Sequence, residues 1–339
     1  MREVKLYYTT NSKTYLVSSS WDKTIKIWDI ETGYLIHTFE GNNEIILNLV
    51  SLDNGYVASG SYDKIIKIWD IKNTSLKYTL NQPSSNGAMY SYQLTLAYLE
   101  NGLLSSSSDD SIIYIWDTKN GELKFQLSGH EDYITSQVLL ENGYLATGSA
   151  DSTIKIWDIK NKKLKYNFDR TNGGHLNNVN NLLSLKNGYL ASSSIDASIK
   201  IWDITQGRLK FTFDANNGGH RFFVRTLVEL ENEYLASGSD DSSIKIWDVK
   251  YGNLIHTFGF MSGGHINPVI YLTYLNNGYL ASSSDDSTIR IWDLSTLKLN
   301  QTLDGSNGGH LGAVHTLTLL DDKYLASTSA DLSIKIWRI

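Results

Sequence analysis

The dipeptide Ile-Trp occurs eight times in this 339-residue chain, its tryptophans at Trp28, Trp69, Trp116, Trp157, Trp202, Trp247, Trp292 and Trp337, and no other feature limits the fold as strongly. Successive spacings are 41, 47, 41, 45, 45, 45 and 45 residues. A period of this size marks an array in which one supersecondary unit is repeated and no copy can bury its apolar face alone. Length by itself would suggest two domains of about 150 residues each. The shared register makes the chain one array instead, and of its 9 tryptophans only Trp21 lies outside that register.

The copy at residues 265–303 shows what each unit is. VIYLTYL (269–275) and YLASSS (279–284) are β-rich runs joined through Asn-Asn-Gly, a hairpin signal because Asn and Gly accept positive φ. A tight turn at Asp285, Asp286 and Ser287 follows, then TIRIW (288–292), which alternates with the period of two that a strand needs, then LKLNQTL (297–303). That makes four short antiparallel strands, a to d. The a–b turn signal recurs at Asn54-Gly55, Asn101-Gly102, Asn142-Gly143 and Asn187-Gly188, and no segment shows a helical period. A four-stranded sheet must stack on its neighbours, and radial closure leaves only short edges, so the spacing predicts an all-β propeller.

Composition removes several function classes. With no cysteine there is no disulfide, thiolate metal site or cysteine nucleophile. A net charge of −6 gives no bulk attraction to nucleic acid or an anionic membrane. The opening MREVKLYYTT has no apolar stretch of signal-peptide length and no run approaches the roughly 18 apolar residues of a spanning helix, so an intracellular protein, cytoplasmic or nuclear, is the expectation. On that ground the acceptor-like sites at Asn73-Thr74-Ser75 and Asn300-Gln301-Thr302 read as accidental.

Seven copies of Ile-Trp-Asp, the eighth being Ile336-Trp337-Arg338, and Gly-His pairs ending at His130, His175, His220, His265 and His310 give the chain a resemblance to the WD-repeat (WD40) β-propeller family. It covers essentially residues 1–339, as repeats of approximately 1–40, 41–80, 81–128, 129–169, 170–214, 215–259, 260–304 and 305–339. Six residues before each motif tryptophan stands an aspartate: Asp22, Asp63, Asp110, Asp151, Asp196, Asp241, Asp286 and Asp331. A serine stands eight before each, and a Ser or Thr ten before. The resemblance implies a hydrogen-bond chain within a blade from Trp through Ser or Thr and His to Asp; which hydroxyl takes part stays open. A buried indole N–H needs an acceptor, and a carboxylate held by an imidazole completes such a network. Read as a catalytic triad, the constellation fails, because a triad occurs once per enzyme while this one recurs five times at the spacing of the repeat. Catalytic residues, metal ligands and cofactors are therefore expected to be absent. The Asp-Asp pairs at 109–110, 240–241 and 285–286 each include a turn aspartate. Lys26, Lys67, Lys155, Lys200, Lys245, Arg290 and Lys335, two before the tryptophan, ring the wheel as solvated or snorkelling side chains, not as a nucleic-acid patch.

Asn42 and Met89 fill the histidine slot in the second and third repeats, and in the first the slot precedes the chain, so blades one to three should be less tightly tied. Extra residues around Gln82-Pro83-Ser84-Ser85-Asn86 lengthen a loop of the third repeat. Expanded loops TNGGH, NNGGH, MSGGH and SNGGH precede repeats five to eight and should raise half of one rim. Only one strand, near Glu3–Tyr8, precedes YLVSSS, and it can be strand a of the first blade or strand d of the last, but not both. The expectation is about 31 strands in eight four-stranded blades with one three-stranded blade at the seam; the alternative is seven closed blades plus a partial repeat.

In proteins that this one resembles, partners dock on the face of d–a and b–c loops, through the residue before the turn aspartate and two residues at the start of strand a. The first set is Trp21, Tyr62, Asp109, Ala150, Ile195, Asp240, Asp285 and Ala330; the second includes Tyr92, Tyr133, Asn178, Asn180, Phe223, Arg225 and His315. Aromatics occupy the first four blades, aspartates stand at 109, 240 and 285, and Phe223 and Arg225 lie opposite. Aromatic and arginine residues exposed together are the material of interface hot spots. The expected function is a non-enzymatic scaffold or adaptor, monomeric on its own, whose partner is a protein or peptide bearing a basic residue. The alternative is the substrate-recognition propeller of a ubiquitin ligase, or a regulatory propeller cut from a longer protein, which would need a further segment such as an F-box.

Overall fold

The computed structural model describes residues 3–10, 13–83, 94–320 and 323–339. These contain 31 strands in eight antiparallel sheets, seven of four strands and one of three, each sheet built from consecutive strands in the order a, b, c, d. Apart from six single 3-10 turns, the rest of the described chain is loop and turn. The a–b turns follow the Asn-Gly reading: Asn54 and Gly55 at φ 60° and 79°, and Asn101 and Gly102 at 66° and 81°, all take the left-handed region.

The cores lie between blades. In the space between blades five and six, Ala191, Ile199, Ile201 and Phe213 of one meet Val224, Leu227, Leu235 and Trp247 of the next. Phe213 stacks on Trp247 at 4.5 Å between ring centroids, and Phe168–Trp202 and Phe258–Trp292 repeat the contact at 4.4 and 4.5 Å. Strand alternation explains the division of labour: the two isoleucines of Ile-x-Ile-Trp face one neighbouring blade and the tryptophan faces the other. The pairing between strands c and d shifts register between that isoleucine and the tryptophan in all seven four-stranded blades, a bulge that sets Trp opposite Leu (Trp28 opposite Leu35, Trp247 opposite Leu254).

Eight blades close, and the seam is settled: Glu3–Thr10 pairs with Lys13–Ser19 as strand a of blade one. The three-stranded sheet is blade eight, Val314–Leu320, Tyr324–Ser329 and Ile334–Arg338. Strands a and b of blade eight pack against strand a of blade one, so the ring is joined by packing.

Candidate functional site

One face of the wheel is organised by the turn aspartates. In blade four the indole N–H of Trp157 donates to Thr147 Oγ1 (2.8 Å), which contacts His130 Nε2 (2.7 Å), while His130 Nδ1 meets Asp151 Oδ2 (2.8 Å). Blades five to eight repeat this through Ser192, Ser237, Ser282 and Ser327. The hydroxyl in the chain is thus the one ten residues before the tryptophan. The serine eight before does something else: Ser149 accepts from the N–H of Asp151 and donates to Asp132 O, pinning the b–c turn to the loop entering strand a. A further hydroxyl went unread in the sequence. Thr153, Ser198, Ser243, Thr288 and Ser333, four before the tryptophan, donate to the turn aspartate and approach His Nδ1. The signal was present, since this position is Ile65 and Ile112 in the two blades whose histidine slot holds Asn or Met.

Burial pushes the imidazoles of His130, His175, His220, His265 and His310 down, outweighing the adjacent carboxylates, so they are neutral. Burial pushes Asp151, Asp196, Asp241 and Asp286 up, but the hydrogen bonds from His, the hydroxyl and a backbone N–H together hold them well below the usual carboxylate range. With Asp ionised and Nδ1–H donating to it, Nε2 accepts from the hydroxyl and the hydroxyl accepts from Trp, so every proton has a place. These hydroxyls are buried and fully engaged, which is a structural role.

Blade two is less tightly tied, as expected: Asn42 is buried with its amide nitrogen lacking a hydrogen-bond partner. Blade three departs from that expectation, because other residues replace the lost histidine. Gln82 bridges Ser106 and Ser108 (3.1 and 3.0 Å), and the Tyr114 hydroxyl donates to Asp110 (2.8 Å) from the position where other blades carry Lys or Arg. Met89 lies outside the described residues. The ring of basic residues also differs from the sequence reading. Lys67, Lys155, Lys200 and Lys245 are at most 9% exposed, and the last three donate to Asn167, Thr212 and Thr257 of strand d.

In blades four to eight the residue before the turn aspartate and the start of strand a meet through one backbone hydrogen bond. The N–H of Ala150, Ile195, Asp240, Asp285 and Ala330 donates to the carbonyl of Tyr133, Asn178, Phe223, Pro268 and Ala313. Trp21 is 53% exposed and Phe223 40%, while Tyr62, Asp109, Tyr133, Asn178 and His315 are half-buried, Asp285 is exposed, and Tyr92 lies outside the described residues. Asn178 donates to the Tyr133 hydroxyl across the blade boundary (3.4 Å). Arg225 grips Asp240 with both Nε and Nη2, the latter at 3.0 Å, so their charges answer each other. Asn180 turns into the central channel, a space of about 360 Å³ whose lining includes Asn48, Gln137, Asn181, Thr226 and Tyr271. Sequence reasoning missed the residue after each histidine. The turn aspartate accepts the N–H of Glu131, Leu176, Arg221, Ile266 and Leu311, which fixes that residue on the rim. Three of these are bare apolar side chains: Leu176 at 65%, Ile266 at 62% and Leu311 at 83% exposure.

A family model described as WD domain, G-beta repeat (WD40) matches residues 9–29, 33–70, 121–158, 166–203, 208–248, 252–293 and 298–338. The chain belongs to the WD40 repeat family. The unmatched repeat is the third, the one rebuilt around Gln82 and Tyr114. The crystal structure of the computationally designed Ika8 protein is similar to this WD40 propeller over 100% of this chain and 96% of that chain, with a TM-score of 0.82 and 26% identity. No curated protein matches the chain. No group of three or more metal-ligating side chains occurs among the described residues of the propeller.

Proposed function

We propose that this propeller is a protein-interaction scaffold that holds a peptide or protein segment on the face of d–a and b–c loops, where WD40 propellers in general receive partners. The observation that carries this reading is an arc of exposed apolar side chains running from blade five round to blade one: Leu176, Phe222, Phe223, Ile266, Leu311 and Trp21, each at least 40% exposed. Lone exposed apolar residues need no explanation, but one or two in each of five successive blades on the same face is what partner docking uses. The arc lies mainly in blades five to eight, where the Gly-Gly-His loops stand, and of the aromatics of the first four blades it includes only Trp21. The bound segment carries a basic residue for the exposed Asp285. Asp240, already gripped by Arg225, does not serve. Affinity purification with the wild-type chain and with a Leu176→Asp, Ile266→Asp, Leu311→Asp variant tests the reading. Partners recovered by the wild type should be lost from the variant, and unchanged recovery by a folded variant overturns it.

A further inference from the structure

At the end of the blades opposite the loop face, where the a–b and c–d turns lie, one blade boundary lacks a side chain that the others carry. Thirteen residues before the motif tryptophan stands a tyrosine in seven of the eight repeats, but Leu103 in the third. In every repeat this residue packs on the core shared with the next blade, as Tyr56 does between blades two and three and Leu103 between three and four. Three of the phenol rings carry a lysine of strand d over them: Lys77 on Tyr56 at 3.8 Å, Lys165 on Tyr144 at 4.1 Å and Lys210 on Tyr189 at 3.8 Å. Lys165 also donates to the Tyr144 hydroxyl (2.7 Å). Lys124 holds that place in blade three and, with leucine where the phenol would be, turns to Asp117 (3.0 Å).

A second substitution opens the same boundary. Gly121, Gly207 and Gly252, five after the tryptophan, leave room for a strand-d ring of the preceding blade: a Cβ there would lie 3.0, 2.3 and 2.4 Å from Tyr78, Tyr166 and Phe211. Between blades three and four the position is Lys162, whose Nζ stands 4.9 Å from the Phe125 ring centre, so that ring has no glycine to lie across. The open space follows the two changes. It is about 60 Å³ where tyrosine and glycine are both present (Tyr56, Gly121), about 370 Å³ where the glycine alone is replaced (Tyr234, Leu297) and about 640 Å³ where both are (Leu103, Lys162). The last is of ligand-pocket size, ~300–1,000 Å³. Its apolar wall is Leu99, Leu103, Phe125, Leu139 and Ile159. Lys160 and Lys162 line it against Glu100 and Asp158, a balance of charge that suits an uncharged occupant.

We propose that this cleft is a second binding site, which takes a tyrosine side chain presented by another protein. The ring enters between Leu103 and Phe125, where the other blades keep their own phenol, and the Lys124 ammonium leaves Asp117 for the ring and its hydroxyl, as Lys165 serves Tyr144. Filling the gap restores the dispersion contacts that its lining lacks, and one aromatic anchor in a preformed pocket is how interface hot spots are built. The site lies at the other end of the blades from the loop face, so it stands apart from the scaffold reading and both ends can be engaged at once.

The probe is the capped tripeptide acetyl-Gly-Tyr-Gly-amide, titrated into the 339-residue chain and followed by methyl NMR of Leu99, Leu103, Leu139 and Ile159. Saturable shifts are expected at these methyls, and acetyl-Gly-Ala-Gly-amide should produce none, a comparison that leaves the protein untouched. Leu103→Tyr restores the side chain of the other blades, so it should fold with an unchanged or higher melting temperature and lose peptide binding at least tenfold. Lys124→Met should weaken binding severalfold. No binding of the tyrosine peptide, or binding that Leu103→Tyr leaves unchanged, overturns the proposal. So do shifts with p-cresol but not with the tripeptide, which assign the cleft to a free phenol, and dimerisation without peptide that Leu103→Tyr removes, which assigns it to the exposed Tyr34 or Tyr251 of a second copy.

Discussion

Blades four to eight each set their histidine between a hydroxyl and a carboxylate, and that placement makes the protonation of five residues a property of the fold. His130, His175, His220, His265 and His310 are pushed down by burial and stay neutral when folded. In the unfolded chain they protonate below about pH 6.5, so the unfolded state binds more protons and stability falls as pH drops through that value. The turn aspartates act in the same direction at lower pH: their stabilisation is complete above about pH 4 and is lost below it. Urea midpoints at constant ionic strength should therefore decline from pH 7.5 to 5, and a flat profile would contradict the neutral-imidazole assignment. Sequence disclosed the Trp, His and Asp of this network because they recur in register. It left two hydroxyls open, since both recur equally, and only the geometry of the strand b–c pair places Ser192 or Thr147 beneath the indole.

At the scale of the element, the expanded rim loops show how turn chemistry builds a face. Asp214 caps the short 3-10 turn Ala215–Asn217 by accepting from the N–H of Asn216, and Asn217 answers through its side chain to the N–H of Asp214. Gly218 then takes φ 83°, and Gly219 passes so close to Asp214 that a Cβ would lie 2.4 Å from its carbonyl oxygen. Gly219→Ala has no way to relieve that contact except by moving backbone, so it should cost about 1–3 kcal/mol, measured by urea unfolding. Gly188→Ala, where a Cβ meets nothing within 4 Å, separates φ strain from the clash and should cost less. The doubled glycine was visible in the sequence as a longer loop. What it does, which is to seat His220 under the rim and hold Arg221 and Phe222 above it, depends on contacts between residues some 20 positions apart.

In the whole molecule, position in the ring decides how much an identical residue contributes. Trp247 is fully buried and stacked on Phe213, while Trp28 lines a groove at the seam. Trp247→Ala should cost about 3–5 kcal/mol and Trp28→Ala distinctly less, compared through urea midpoints at unchanged m-value. Equal losses would mean that the seam is packed like the other blade boundaries. The period of the tryptophans and the strand alternation, both local properties of the chain, determined the repeat, the order of strands and the all-β class, because a strand's faces follow from its own sequence; that all eight repeats close into one ring, and not seven with a partial repeat left over, was decided by the tertiary structure. The tertiary structure alone decided that Glu3–Thr10 is strand a and not strand d, that Lys200 and Lys245 are buried against the neighbouring strand, and that Arg225 neutralises Asp240. It also set most of the exposed apolar side chains of the loop face, Leu176, Phe222, Phe223, Ile266 and Leu311, in blades five to eight. Each of these depends on which surfaces meet when the ring closes, and a repeat read singly holds no information about its neighbours across the seam.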